Sequence, residues 1–340
     1  MTAKPSTLGG PGQTLVGYQS TRTSSDGWYA VLLTAAAADS GARSPATASR
    51  AKPSHNSLEH GSGSTPGSGQ APLNDFMNQV RKWLETQGYP LELKVAKAFR
   101  DADAAVLQSD YYADPETDEQ REIDVRAYYS SETADRDLLR VEFLVECKRV
   151  PEKPWVLFAS SRRISKRAAV AQRVGSRAGS RFLLRAAQDG VLQDLELLQL
   201  PKRTAYGLAE AFGKDQTDTP YRAMMSASKA AFATCKQYDQ YRRREMYCVV
   251  AFPIVVIDGR LVECYLDTET DEIHLEETKV GTLVSRNPVV GEPHTIVTIA
   301  TLAGLGSVVQ AAQKGADQIL ALMKDSSPRL KRQLKSSLRE

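Results

Sequence analysis

Residues 121–129 and 139–148 each alternate between apolar and polar side chains, and this alternation limits most strongly how the chain can fold. A period of two places successive side chains on opposite faces of a β-strand. The segment between them, Ser130 to Asp137, is polar and rich in turn-forming residues. The pattern therefore predicts an antiparallel hairpin with one apolar face against the core and one polar face.

Other segments predict the elements around this hairpin. We expect helices at 75–84, 90–102, 221–238 and 303–324, and further strands at 104–111, 246–257, 260–266 and 294–300. Asp258-Gly259 predicts a tight hairpin turn between two of these strands. The order of elements predicts an α/β (α+β) fold, with one mixed sheet flanked by helices.

Composition divides the chain into a folded part and two tails. The first 72 residues are rich in Gly, Ser, Thr, Pro and Ala, and such sequence buries too little apolar surface to offset its ordering entropy. We therefore expect a disordered low-complexity tail at 1–72. The remaining predicted parts are one domain at 73–325, with a core at 88–150 and 221–300 and a basic insertion at 160–205, and a basic C-terminal tail at 326–340.

Charge, cysteine and histidine positions exclude several classes of protein. The chain has 44 basic and 41 acidic residues, and the net charge of +3 excludes a histone-like polycation. The cysteines form no C-x-x-C pair and the histidines have no metal-ligand spacing, which argues against a zinc ribbon or a thioredoxin-type motif. The strongest apolar run, Met246 to Ile257, is too short to cross a bilayer. We expect a cytoplasmic protein without a membrane partner.

Asp124 and the tripeptide Glu146-Cys147-Lys148 form the candidate chemical site. In a hairpin centred near Asp135, position 124 pairs with position 146, and paired Cβ atoms lie about 4.5–5.5 Å apart. Two carboxylates at that separation can share a hard divalent cation such as Mg²⁺, and a lysine beside them can orient or deprotonate a bound water. A surface salt-bridge cluster would give the same pattern, so the hairpin alone leaves both interpretations open.

The pattern E-x-K is short, and its surroundings separate the three copies in this chain. Glu92-Leu93-Lys94 lies in a predicted helix, whereas Glu277-Thr278-Lys279 lies in polar sequence without a preceding apolar strand. Only Glu146 and Lys148 end a strand whose opposite face is apolar. Glu92 also falls within the apolar stripe of its helix, where a buried carboxylate needs a partner. A metal centre reached from the sheet would be such a partner.

Together these residues resemble the PD-(D/E)XK nuclease superfamily, which has the restriction-endonuclease-like fold. The matching segments are YPLELKVAKAF with Glu92, REIDVRAYY with Asp124, and LRVEFLVECKR with Glu146 and Lys148. The likeness covers 88–150. It departs from the family pattern at Ile123, where relatives carry proline, and in a long insertion after Lys148.

The resemblance implies metal-dependent hydrolysis of a phosphodiester bond in DNA. Asp124 and Glu146 would bind Mg²⁺ together with the backbone carbonyl of Cys147, and Mn²⁺ is expected to substitute. Lys148 would position the attacking water, and Glu92 would hold the metal or one of its waters. The second-tier candidates are Glu122 on the Asp124 face, and Lys236 and Gln237 on the helix after the E-x-K strand.

Charge separates along the chain in a way that favours a polyanionic partner. Acids dominate between Ala102 and Glu146, whereas every charged residue between Ser160 and Arg185 is basic. The residues expected to bind nucleic acid are Arg162, Arg163, Lys166, Arg167, Arg173, Arg177, Arg181 and Arg185. The last four recur every four residues and would line one face of a helix, although a solvated basic face remains the alternative.

Double-stranded DNA is the expected substrate, and a homodimer is expected because cutting both strands commonly needs two sites. Defence against foreign DNA or DNA repair follows by analogy with the family only. Two other functions stay open. One is a nucleic-acid-binding module of the same fold that does not cleave, and the other is a protein-interaction scaffold whose acids form surface networks.

Overall fold

The computed structural model describes residues 70–150, 152–160, 165–192, 195–213, 218–241, 245–287 and 292–336. All of them belong to a single compact unit, Pro66–Glu340. The tail predicted at 1–72 lies outside the described residues, except for 70–72, which begin the first helix.

Helices account for a large part of the described chain. They are α1 (Gln70–Glu85), α2 (Tyr89–Asp101), α3 (Lys166–Ala171), α4 (Arg177–Asp189), α5 (Thr219–Gln240) and α6 (Leu305–Ser336). Pro90 lies in the first turn of α2, where its missing N–H costs nothing. The predicted stripe of α2 is buried, as Leu91, Val95 and Phe99 show. No helix among the described residues is long and apolar enough to cross a membrane.

The strands form one mixed sheet. They are β1 (Ala105–Ala113), β2 (Gln120–Glu132), β3 (Leu138–Lys148), β4 (Trp155–Ser160), β5 (Val174–Gly175), β6 (Thr204–Glu210), β7 (Tyr247–Ile257), β8 (Leu261–Leu266), β9 (Ile273–Thr278), β10 (Val280–Asn287) and β11 (Glu292–Thr301). Their order is β1-β2-β3-β7-β11-β10-β6-β4-β8-β9, and β5 pairs with β7. The predicted mixed sheet flanked by helices is confirmed.

The β2–β3 hairpin has the predicted register. Val125 pairs with Val145 and Arg126 with Leu144, so the paired residue numbers sum to 270, as they do for 124 and 146. Strand β3 then pairs in parallel with β7 along its whole length. Strand β7 is apolar almost throughout, as expected for a strand that is buried on both faces.

Helices cover both faces of the sheet. Val125, Val145 and Phe252 belong to a core cluster that also contains buried residues of α2, α4 and α6. Leu144 and Val249, which alternate with them, pack in a separate cluster with α5. The polar face of β3 therefore lies under α5.

The predicted hairpin turn at Asp258-Gly259 is wrong. Strand β7 pairs with β3 and β11, whereas β8 pairs with β4 and β9. Both sides of β7 are already occupied at its end, so the following strand has to pair elsewhere. Asp258 Oδ1 accepts a hydrogen bond from the Val150 N–H at 2.6 Å. A Cβ on Gly259 would lie 2.1 Å from the Val150 carbonyl oxygen, so this close approach requires glycine.

The boundaries predicted for the basic insertion and the C-terminal tail also differ from the structure. Residue 204 begins β6, which lies with β4 inside the sheet between β10 and β8. Helix α6 continues to Ser336, so residues 326–336 are helical and not a tail. Leu330 is buried in the core, and Lys331 Nζ lies 2.9 Å from the Asp137 carboxylate. These contacts hold the end of α6 against the sheet.

Candidate active site

Glu146 lies near the C-terminal end of β3, with its carboxylate between a lysine and a serine. Lys148 Nζ is 2.6 Å from Glu146 Oε1. The Ser226 hydroxyl, on α5, donates a hydrogen bond to Glu146 Oε2 at 2.7 Å. Glu146 is 6% exposed, so these two groups supply most of what compensates its burial. The predicted sharing of one strand face by Glu146 and Lys148 is confirmed by their contact.

Asp124 lies beside the same strand end. Its Oδ2 accepts a hydrogen bond from the Cys147 N–H at 2.6 Å. Backbone pairing of the hairpin ends at Val125 and Val145, so Asp124 lies just beyond the last pair. Burial and the nearby Glu146 carboxylate raise the pKa of Asp124 to about 7. The two acids are therefore close enough to repel each other, as the hairpin register predicts.

The neighbouring edge strand β1 is distorted beside Asp124. Gln108 pairs with Val125 and Asp110 with Ile123, which places Ser109 opposite Asp124. Ser109 has φ 52°, in the left-handed region that is unfavourable for a residue other than glycine. Such backbone strain is often found at functional sites.

Glu92, on α2, interacts electrostatically with Glu122, Glu146 and Lys148. Burial raises the pKa of Glu92, and the Glu122 and Glu146 carboxylates raise it further, while Lys148 opposes them. Burial alone would lower the pKa of Lys148, but the charge and hydrogen bond of Glu146 and the charge of Asp124 together hold that pKa above its usual value.

The oxygen atoms at this strand end fit the chemistry of a hard divalent cation. Asp124 and Glu146 supply carboxylates, and Mg²⁺ prefers oxygen ligands while keeping several waters. The N–H and carbonyl of one strand residue point to the same side, so the Cys147 carbonyl faces the Asp124 side with its N–H. Among the described residues, no group of three or more His, Cys, Asp and Glu side chains is arranged to hold a metal ion. Glu92 thus does not complete a three-acid set.

The Cys147 side chain lies away from these acids, in the core cluster on the other face of β3. Burial, followed by the charge of Asp124, raises the pKa of the Cys147 thiol well above its usual value. A protonated, buried thiol is a poor nucleophile, which agrees with a structural role for this side chain.

A cleft of about 860 Å³ opens over Glu146 and Lys148. Its walls come from β1, β2 and their connection and from the first half of α5. The lining residues are Tyr112, Asp114, Glu116, Arg121, Glu122, Glu146, Lys148, Thr219, Tyr221, Arg222, Met225, Ser226 and Lys229. Glu122, predicted as a second-tier residue, is exposed in this cleft.

The α5 wall of the cleft was not predicted. Arg222, Ser226 and Lys229 recur at spacings of four and three, which places them on one face of the helix. That spacing is a signal in the sequence, but it does not show which residues on the strands the helix would meet. Lys236 and Gln237, which the resemblance singles out on the same helix, line a different cleft.

Ion pairs neutralise two of the cations in the cleft. Arg121 Nε is 2.6 Å from the Asp114 carboxylate, which is almost fully buried. Lys229 Nζ lies 3.1 Å from Asp114 and 2.7 Å from Glu116. Burial alone would raise the pKa of Asp114, but its hydrogen bonds and these cations hold it below the usual value. We interpret this cluster of Asp114, Glu116, Arg121 and Lys229 as structural, because each cation is paired with a carboxylate.

The described basic residues between 165 and 185 do not line the cleft. Arg177, Arg181 and Arg185 lie on α4, which packs against the sheet on the face opposite α5. Lys166 and Arg167 are exposed at the start of α3, and Arg162 and Arg163 lie outside the described residues.

Arg173 does not belong to an exposed basic face, so the predicted four-residue repeat is wrong at this position. Its side chain is buried, with the guanidinium carbon 5.3 Å from the centre of the Phe252 ring. Burial lowers the pKa of Arg173 to about 10. The residue precedes β5, and the helix that carries the other three arginines begins only at Arg177.

The third copy of E-x-K lies at the surface. Glu277 and Thr278 do end a strand, β9, contrary to the expectation from sequence. However, Glu277 is exposed, and its carboxylate pairs with Arg260 at 2.7 Å. An exposed pair of this kind contributes little and forms no cleft with other acids.

Comparison of the chain with models of known protein families, with curated proteins and with solved structures finds no match. The candidate site therefore depends on the residues and geometry described above.

Proposed function

We propose that this protein is a metal-dependent nuclease that hydrolyses a phosphodiester bond in DNA. The observation that carries this proposal is the end of the hairpin, where Asp124 lies beside Glu146 and Glu146 contacts Lys148 in an open cleft. The resemblance of these segments to the PD-(D/E)XK superfamily supports the same reaction.

Asp124, Glu146 and the Cys147 carbonyl are the groups that would hold Mg²⁺, which when bound neutralises negative charge developing on the phosphate. The chain itself holds these oxygens in place. The Cys147 N–H orients the Asp124 carboxylate, and the Ser226 hydroxyl orients the Glu146 carboxylate. Such preorganisation lowers the reorganisation required during the reaction.

Lys148 would position the attacking water and offer positive charge to the phosphate. The Lys148 ammonium group, 2.6 Å from Glu146, can donate hydrogen bonds to a water or to a phosphate oxygen. Its proposed role is orientation of the water.

A cleavage assay with matched variants tests the proposal. Purified full-length protein should cut plasmid or linear DNA in Mg²⁺ or Mn²⁺ and should not cut it in EDTA. Asp124→Ala and Lys148→Ala should lose this activity while keeping the circular dichroism spectrum of the parent. Glu277→Ala provides a control, because it changes another E-x-K copy that lies at the surface. Undiminished cleavage by both site variants would reject the assignment.

A binding module that does not cleave is the second candidate, and one observation favours it. Both Glu146 oxygens already have partners, Lys148 and Ser226, so the carboxylate is satisfied without a metal. In that case the protein would bind DNA equally well in EDTA and in Mg²⁺, and no metal would produce cleavage. Metal-dependent cleavage that Asp124→Ala abolishes would exclude this candidate.

A further inference from the structure

Tyr221 lies between two adjoining clefts on the α5 side of the sheet. It lines the cleft above Glu146 and Lys148 and also a second cleft of about 550 Å³ between α5, β6 and β10. Tyr206 lies in the wall of this second cleft. Tyr221 is 52% exposed and Tyr206 is 70% exposed, so both rings are accessible. The two clefts together make a path that leads from the candidate catalytic centre past two exposed aromatic rings.

Arg222, the residue after Tyr221, supplies positive charge in the first of these clefts. Its side chain is exposed in the first cleft, and no ion pair joins it to a carboxylate within the described part of the chain. The other cations near it differ, because Arg121 and Lys229 are matched by Asp114 and Glu116. Glu122, on the opposite wall, adds to the acids of the candidate metal centre.

Exposed aromatic rings next to a cation are the features that bind unpaired nucleic acid. Single strands bind where a cationic groove follows the backbone and aromatic side chains stack on the bases. Within a duplex, the bases already stack on each other and their faces are not accessible to a side chain. A path with rings at two points therefore suits unpaired bases better than a continuous duplex.

We infer that the substrate strand occupies these clefts as a single strand, with a phosphate at Arg222 and bases against Tyr221 and Tyr206. This inference rests on the proposed nuclease function and names the form of its substrate. It differs from the double-stranded substrate expected from the sequence, and it places the contacts on α5 and β6 instead of on α4.

Binding measured without cleavage tests the aromatic contacts. In a Lys148→Ala background and in EDTA, fluorescence anisotropy compares a labelled 20-nucleotide single strand with a blunt duplex of the same sequence. The single strand should bind more tightly. Adding Tyr221→Ala or Tyr206→Ala should weaken single-strand binding between about fivefold and about a hundredfold, with little change for the duplex. Trp83→Ala is the control, because Trp83 is an exposed aromatic residue on α1.

The salt dependence of binding tests the phosphate contact. Removing one contact to a single strand should reduce the slope of log K against log salt by about 0.7. Arg222→Ala should show this reduction and Arg222→Lys should not. Arg177→Ala, which removes an exposed arginine from α4, should leave the slope unchanged.

The outcomes distinguish a failure of this inference from a failure of the proposed nuclease function. Equal or tighter duplex binding, or unchanged single-strand binding by both tyrosine variants, would overturn the inference even if the parent cleaves DNA. Cleavage that is absent in the parent would instead overturn the nuclease proposal, and undiminished cleavage by both Asp124→Ala and Lys148→Ala would overturn the site assignment. The binding result would then still decide whether the clefts hold a single strand.

Discussion

The two ends of β3 both hold buried acids, but their surroundings differ. Before the N-terminal end, Asp137 is 1% exposed and accepts hydrogen bonds from the Met246 N–H at 2.8 Å and from Ser327 at 3.1 Å. Lys331 supplies a positive charge 2.9 Å away. At the C-terminal end, Asp124 lies beside Glu146, and Lys148 contacts Glu146.

The pKa values express this difference. Burial alone would raise the pKa of Asp137, but the Met246 N–H, Lys331 and Ser327 together hold it below the usual value. Burial and Glu146 instead raise the pKa of Asp124 to about 7. A buried acid with matched partners stabilises the fold, whereas crowded acids with too little positive charge indicate a site where a further cation or substrate belongs.

The largest expected effect comes from replacing Lys148, and the matched variant replaces Lys331 at the other end of β3. If the proposed function holds, Lys148→Ala should lower the rate of DNA cleavage by about a hundredfold or more, because it removes the group proposed to orient the water. Its free energy of unfolding should also fall, by about 1–3 kcal/mol, because the buried Glu146 carboxylate loses its cation. Lys331→Ala should lower stability as well but should leave the specific activity at the parental level. Equal effects of the two variants on cleavage would contradict the comparison.

Asp137→Ala should have the largest effect on stability. It leaves the buried Met246 N–H and the Ser327 hydroxyl without their acceptor, and it removes the partner of Lys331. We expect a loss of about 2–4 kcal/mol in the free energy of unfolding, measured with urea. Asp124→Ala should cost less, because the repulsion with Glu146 disappears with the lost hydrogen bond. A larger loss for Asp124→Ala would show that the C-terminal acids are structural.

The two ends should also respond to pH in opposite directions, tested in EDTA. Folding raises the pKa of Asp124 from 3.8 to about 7, so between these values the folded state binds more protons than the unfolded state. Stability from Asp124 should therefore increase as pH falls from about 7 to about 4, by about 1–3 kcal/mol. Asp124→Asn should remove this slope.

Asp137 has the opposite sign, because its pKa is lowered on folding. Its contribution to stability is present above its unfolded pKa and is lost as the pH falls through the folded pKa. The destabilisation should thus begin only below about pH 4. If urea unfolding shows a single trend with pH that Asp124→Asn leaves unchanged, the two acids do not differ in this way.

Ser226→Ala should give the smallest effect. It removes one hydrogen bond to Glu146, which should cost about 1 kcal/mol of stability and reduce cleavage by no more than about tenfold. Ser228→Ala is the matched control on the same helix, because the buried Ser228 hydroxyl has no hydrogen-bond partner among the described residues. It should be neutral in both assays. A loss of cleavage by Ser228→Ala would show that α5 responds to any change, and not that Ser226 orients Glu146.

Local patterns in the sequence predicted the hairpin and the acids at its end. A period of two assigned Glu146 and Lys148 to one face, and the short connection determined the register that brings Asp124 to the same end. The buried stripe of α2 followed from helical spacing in the same way. These features depend on neighbours within a short stretch of chain, so sequence alone is enough to find them.

Contacts between distant segments could not be predicted from such patterns. Glu146 and Ser226 are 80 residues apart, and only the packing of α5 on β3 brings them together. The turn after β7 does not form a hairpin because both edges of β7 are already paired, with β3 and with β11. Arg173 looks like part of a basic face, but it is buried over Phe252.

By itself the sequence determined the mixed α/β architecture, the hairpin register and the acids at its end. Only the tertiary structure decided which helix faces those acids, which arginines are accessible, and that Lys331 compensates Asp137. The reason is that side-chain periodicity is a local property of the chain, whereas the partners that satisfy a buried charge come from wherever packing places them.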